Sequence, residues 1–197
     1  YILTRKPITV ASVQSYLSAK DSKIGVIKIK VFSGTTAAKV KEALEELKKQ
    51  GATSIVLDLR NNVGGLLPGG VETASLFLKQ DKPVVFVVDK KGVIDAQSTY
   101  TDGLDIDDPL VLVVNENTAS AAEVLTAALL ENNRATAVGT KTFGKGIVQT
   151  IRQLSFDNGG VAVTVARYET PLHNDINKQG IPVDIPLTSS DCATKNN

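Results

Sequence analysis

The chain has 197 residues, 42% hydrophobic and 22% charged, which suits one packed globular domain and excludes wholesale disorder. Its 22 basic and 21 acidic side chains leave a formal charge of +1, so no bulk field draws it to nucleic acid or to an anionic membrane. A single histidine, His173, and a single cysteine, Cys192, argue against zinc chemistry and exclude an intrachain disulfide, and no apolar run reaches transmembrane length.

In chain order, YILTRKPITV at residues 1–10 already alternates like a strand. With no signal peptide ahead of it, the chain reads as an excised domain whose targeting segment lies upstream. IGVIKIKV at 24–31 is a strand. Residues 35–50 form an amphipathic helix with Val40, Ala43, Leu44 and Leu47 on one face, ended by Gly51. SIVLDL at 54–59 is a short apolar run of the kind found in buried parallel strands. RNNVGG at 60–65 is a flexible turn, and a helix follows over 69–78. PVVFVV at 83–88 and PLVLVV at 109–114 are further buried strands, 120–131 is a helix and 136–138 a strand. After Gly144 the pattern turns to strands at 147–154 and 161–168, joined by a hairpin turn, DNGG at 157–160, before a polar tail at 188–197. Alternating strand and helix predicts an α/β fold with a largely parallel sheet, plus a C-terminal β-rich portion.

Two stretches carry chemistry: NENTASAAE at 115–123 and GTKTFGKGIVQ at 139–149. Ser120 falls where a strand turns into a helix, and Ser120 with Glu123 has capping-box spacing. A serine hydroxyl is a poor nucleophile until a base takes its proton. With histidine almost absent, a buried lysine is the remaining candidate base. Lysine is protonated at neutral pH unless burial penalises the ammonium, which in full can lower its pKa by about 3–5 units. The glycines flanking Lys145 are expected to let its stem enter an apolar pocket against Ser120. Lys141 and Lys178 are alternatives, and His173 with Asp175 or Asp184 is a further one. The spacing from Gly139 to Lys145 also resembles a P-loop, but Gly146 stands where Ser or Thr would bind magnesium, and a strand follows. Ligands in α/β sheets collect beyond the carboxyl ends of the strands, where both Gly64–Gly65 and Ser120 fall. A backbone N–H there suits an oxyanion, and Asp58 and Arg60 are placed to position the Gly64–Gly65 loop.

These stretches resemble the carboxyl-terminal processing, or tail-specific, proteases. The resemblance rests on DLRNNVGG at 58–65, VNENTASAAE at 114–123, Arg134 with Ala135, VGTKTFGKGIVQ at 138–149 and GIPVD at 180–184, in the family's order. Residues 163–173 are most similar to the cyanobacterial and chloroplast branch, which trims the photosystem II reaction-centre precursor. The resemblance implies Ser120 as nucleophile, Lys145 as general base and Gln149 as a residue orienting that base. It implies Gly65 and the Ala121 N–H as the oxyanion hole, with Gly64, Asp58, Arg60 and Glu131 supporting. It further implies a crotonase-like or Clp-protease-like α/β core, no metal or cofactor, protein carboxyl-terminal tails as substrate, and a thylakoid-lumen or periplasmic location. Residues 1–23 then read as a residual strand and linker after a missing PDZ domain, 24–187 as the protease core and 188–197 as a tail. Val63 departs from a common run of three glycines, Ala122 from a second serine and Glu131 from a frequent aspartate. A catalytically silent peptide-binding or scaffold module on the same fold is the competing expectation, with a nucleotide binder the lesser one.

Overall fold

A computed structural model describes residues 11–155 and 159–187. The strand-like reading of residues 1–10, part of the turn at 157–160 and the tail from 188 lie outside the described residues. The order is β1 (Val13–Leu17), β2 (Ile24–Ile29), α1 (Thr36–Lys49), β3 (Ser54–Asp58), α2 (Leu67–Ser75), β4 (Pro83–Asp89) and β5 (Gly92–Ser98). Then come β6 (Leu110–Val114), α3 (Ala121–Glu131), β7 (Thr136–Gly139), β8 (Ile147–Gln153), β9 (Gly160–Glu169) and β10 (Ile185–Pro186). Among the described residues no helix is long and apolar enough to cross a membrane.

One sheet runs β1-β2-β3-β6-β7-β10. β2, β3, β6 and β7 are mutually parallel, β10 joins β7 in parallel, and β1 is an antiparallel edge. Its register puts Ile27, Leu57, Leu112 and Ala137 in one row, all 0% exposed. Apolar runs bury both faces because helices cover the sheet. Helix α1 contributes Val40, Ala43, Leu44 and Leu47, the face its 3.6-residue periodicity specifies, and Lys48 and Lys49 suit its carboxyl-terminal dipole. Helix α2 starts two residues earlier than expected, with Pro68 in its first turn, and ends at Ser75. Gly70 lets it approach α3 closely, since a Cβ there would sit 2.8 Å from the Ala121 carbonyl oxygen.

The second sheet, β5-β4-β9-β8, is antiparallel. It corrects the expectation for residues 83–88: they are a buried strand, but they pair with β5 and β9 instead of joining the parallel set. A short apolar run reports burial on both sides and is silent about strand direction. The α/β class with a largely parallel sheet and a β-rich portion is what the chain adopts, and the loops after β2, β3, β6 and β7 meet at one end of the parallel sheet.

Candidate active site

Ser120 caps α3 with φ 57° and ψ −122°. Few non-glycine residues tolerate that left-handed backbone, which costs of order 1–3 kcal/mol and persists only where surrounding structure imposes it. Thr118 imposes it from below. Its buried hydroxyl donates to the Leu59 carbonyl at 2.9 Å and accepts the Asn115 N–H at 3.0 Å. The Ala119 N–H donates to the Asn62 carbonyl at 2.9 Å. A sharp strand-to-helix turn that lifts a serine above a sheet is a recurrent way to present a nucleophile.

The loop after β3 lies against this elbow. Asn62, fully buried, donates to the Ile29 carbonyl and accepts the Gly64 N–H, both at 2.9 Å. Gly64 and Gly65 have φ 99° and 135°, so both need glycine's freedom. A Cβ on Gly64 would fall 2.7 Å from Ser120 Cβ and 3.1 Å from the Ala121 nitrogen, whereas one on Gly65 would strike the Phe32 carbonyl at 2.1 Å. Among the described residues, the N–H groups of Gly65 and Ala121 have no hydrogen-bond partner. Both flank the glycine–serine contact, and the Ala121 N–H sits at the positive end of α3.

Asp58 anchors the same loop. It accepts Arg60 Nε at 2.9 Å, Arg60 Nη2 at 2.8 Å and the Arg60 N–H at 3.1 Å, with Lys28 Nζ at 3.7 Å. Burial pushes its carboxyl up, but the Arg60 hydrogen bonds and the charges of Arg60 and Lys28 outweigh this and hold it below the usual aspartate range.

Glu123 is the residue whose role the sequence concealed. It is 0% exposed, and four donors converge on its carboxylate. Oε2 accepts the Ser120 N–H at 2.9 Å and the Lys145 N–H at 2.8 Å. Oε1 accepts the Thr142 hydroxyl at 2.6 Å and the Gly144 N–H at 2.7 Å. One oxygen therefore lies between the backbone nitrogens of Ser120 and Lys145. Capping-box spacing signals only the contact to Ser120; the partners around 142–145 are invisible to it.

Lys145 does not enter the apolar pocket expected of it: it is exposed. Among the described residues no hydrogen bond joins its side chain to Ser120, a contact that apo enzymes often lack. The flanking glycines serve another packing: a Cβ on Gly144 would meet the backbone of 178–180 at 2.9–3.0 Å, and one on Gly146 the Asn177 nitrogen at 2.5 Å. The Lys178 N–H donates to the Gly144 carbonyl and the Tyr168 N–H to the Gly146 carbonyl, both at 2.7 Å. These glycines wedge the lysine loop under residues 177–180; they do not open a pocket against Ser120. Gln149 is exposed on β8, four residues on. Residues 139–146 lead into that strand, not a helix, so the helix N-terminus a P-loop needs is missing.

The remaining candidates lie elsewhere. His173 stacks on Phe86 at 4.2 Å, and its Nδ1 is 3.0 Å from Glu169 Oε2. Neither Asp175 nor Asp184 is its partner: Asp175 accepts the Asn177 N–H and Asp184 the Ala137 N–H. Glu131, at the opposite end of α3 from Ser120, accepts the Leu172 N–H at 2.7 Å and Asn174 Nδ2 at 3.0 Å. Lys141 and Lys178 are exposed. Arg134 donates to the carbonyls of Phe77 and Asp105, both at 2.9 Å, which makes it structural.

The model of peptidase family S41 matches residues 23–187. The chain is 47% identical over 183 residues to a carboxyl-terminal-processing protease of Picosynechococcus, covering 92% of this chain and 44% of that protein. It is 43% identical to the chloroplastic carboxyl-terminal-processing peptidase 2 of Arabidopsis thaliana, covering 95% of this chain and 38% of that one. The solved photosystem II D1 carboxyl-terminal processing protease superposes with a TM-score of 0.82 at 40% identity, over 93% of this chain and 50% of its own. The chain thus spans less than half the length of these two curated relatives. On a matched span that takes in Gly64, Ser120, Glu123 and Lys145, the chain belongs to peptidase family S41.

Proposed function

We propose that this chain is the catalytic core of a serine endopeptidase that cleaves protein substrates near their carboxyl termini, with Ser120 as nucleophile and Lys145 as general base. One observation carries the reading: the buried Glu123 carboxylate holds the backbone of both residues, beside two N–H groups without partners at Gly65 and Ala121.

In the reaction the Lys145 stem swings over the elbow as the substrate covers the site. Only side-chain torsions need change, because Glu123 fixes the backbone. Apo hydrogen bonds of this kind often close only in the complex. The amine acts as a base only in its neutral form. The amine takes the Ser120 proton, Oγ attacks the scissile carbonyl carbon, and the oxyanion receives the Gly65 and Ala121 N–H groups. The lysine returns the proton to the leaving amine as the C–N bond breaks. Water, deprotonated by the same amine, then releases the acyl group. One oxyanion donor is typically worth about 3–4 kcal/mol. Gln149 orients the amine from β8.

An upstream PDZ domain selecting the tail, and a thylakoid-lumen or periplasmic location, belong to the same reading. Both rest on the resemblance of the motifs to the tail-specific proteases, and a chloroplastic relative is in keeping with the location. Ser120→Ala and Lys145→Ala should each abolish cleavage of a tailed peptide with little change in melting temperature. Lys145→Arg should be equally inactive, because a guanidinium stays protonated. Full activity in the arginine variant would remove Lys145 from the role of base.

A further inference from the structure

β8 leaves the Lys145 loop directly and forms the outer edge of the second sheet. Its ladder with β9 decides which backbone groups face outward. The Tyr168 N–H donates to the Gly146 carbonyl, and Val148 lies opposite Ala166 in the same phase. Antiparallel strands alternate bonded and non-bonded pairs, so the N–H and C=O of Ile147 point away from β9. After the register shift between Val148 and Gln149, Leu154 donates to the Gly159 carbonyl. Arg152 and Thr150 therefore face β9, while Gln149, Ile151 and Gln153 present their backbone to the outer edge, where no other strand among the described residues pairs with them.

Natural sheets usually blunt such an edge by covering it, shortening it or placing proline on it. Here Gln149, Ile151, Arg152 and Gln153 are exposed, Ile151 at 78%. The open edge also begins two residues after Lys145.

We propose that the outer edge of β8, from Ile147 to Ile151, is the docking rail for the substrate, which adds to the second sheet as an extended strand and so delivers its scissile peptide to Ser120. The occupant is an unfolded polypeptide segment. Its recognition comes from main-chain hydrogen bonds, which tolerate varied side chains. This rests on the reading of Ser120 as nucleophile, and it explains why Lys145 opens onto a free strand edge.

The test compares two covalent probes of Ser120: a small alkyl fluorophosphonate and a peptidyl phosphonate of about six residues, with adduct formation followed by mass. Ile151→Pro removes one outward N–H without touching the β9 ladder, a position where edge strands accept proline. It should label with the small probe at the wild-type rate and with the peptidyl probe about threefold to tenfold more slowly, the worth of a hydrogen bond or so. Thr150→Pro, whose N–H faces β9, should lower the melting temperature where Ile151→Pro does not. Independently of any variant, single N-methylation along the peptidyl probe should slow labelling of the wild type at every second amide. Unaltered peptidyl labelling in a folded Ile151→Pro, or a flat N-methyl scan, overturns the rail while leaving Ser120 the nucleophile. Failure of both probes on the wild type overturns the nucleophile, and the rail with it.

Discussion

Glu123 joins the backbones of Ser120 and Lys145 only because a carboxylate offers acceptors alone. In Glu123→Gln the amide keeps one acceptor oxygen and turns donors toward backbone N–H groups, so at least one buried donor loses its partner at roughly 1–3 kcal/mol. For a domain of this size each kcal/mol lowers the melting temperature by about 2–4 °C. Thermal unfolding should show that drop, and Ser120 labelling should slow by at least about tenfold; wild-type labelling would mean that the carboxylate does not set the site. Asp58 makes a pH prediction of definite sign. Its pKa is lower in the folded state than in the unfolded chain, so its stabilisation is fully present above the ordinary aspartate value of about 3.9 and is lost as pH falls through the folded value. Asp58→Asn should melt below the wild type near neutrality, and the gap should shrink as pH falls below the ordinary aspartate value of about 3.9 toward the lower folded one. A gap that widens in acid would contradict the ion pair. Residue-scale legibility was uneven. Ser120, Gly64 and Lys145 stand in motifs, but Glu123 acts through partners 19–22 positions away, which no local spacing encodes.

At the scale of elements, the strands whose ends carry the site were legible because burial on both faces writes continuous apolar runs. Helix α1 was legible from its stripe and its glycine stop. β5, by contrast, exposes Val93 and Ile94 at 52% and 58% and has no buried face to impose a pattern. β1, with three exposed central residues, is similarly quiet. The direction of β4 is fixed only by tertiary pairing. The lysine loop misled for a related reason: flanking glycines signal close approach of something, and the something is the 177–180 backbone. The loop after β3 offers a graded check. Gly65→Ala meets both a φ of 135° and the Phe32 carbonyl, whereas Gly51→Ala meets a φ of 95° and open space. Chemical denaturation should show about 1–2 kcal/mol lost at Gly51, the left-handed backbone penalty alone, and a clearly larger loss at Gly65. Equal losses would mean that the bridge from Phe32 to Gly65 does not hold the loop.

At the scale of the molecule, a parallel sheet delivers Gly64–Gly65, Ser120 and the lysine loop to one end, and an antiparallel sheet begins where the lysine loop stops. The central claim is that Lys145, as a neutral amine, activates Ser120. The most direct measurement is the rate at which a small fluorophosphonate labels Ser120 as a function of pH, in the wild type, Lys145→Arg and His173→Ala. The wild-type rate should climb as the amine loses its proton, with no acidic optimum. His173→Ala should follow the same curve, since that ring is engaged with Phe86 and Glu169. Lys145→Arg should show no labelling at any pH the fold survives. Labelling of Lys145→Arg at the wild-type rate, or a profile with a histidine-like midpoint that disappears in His173→Ala, would contradict the account.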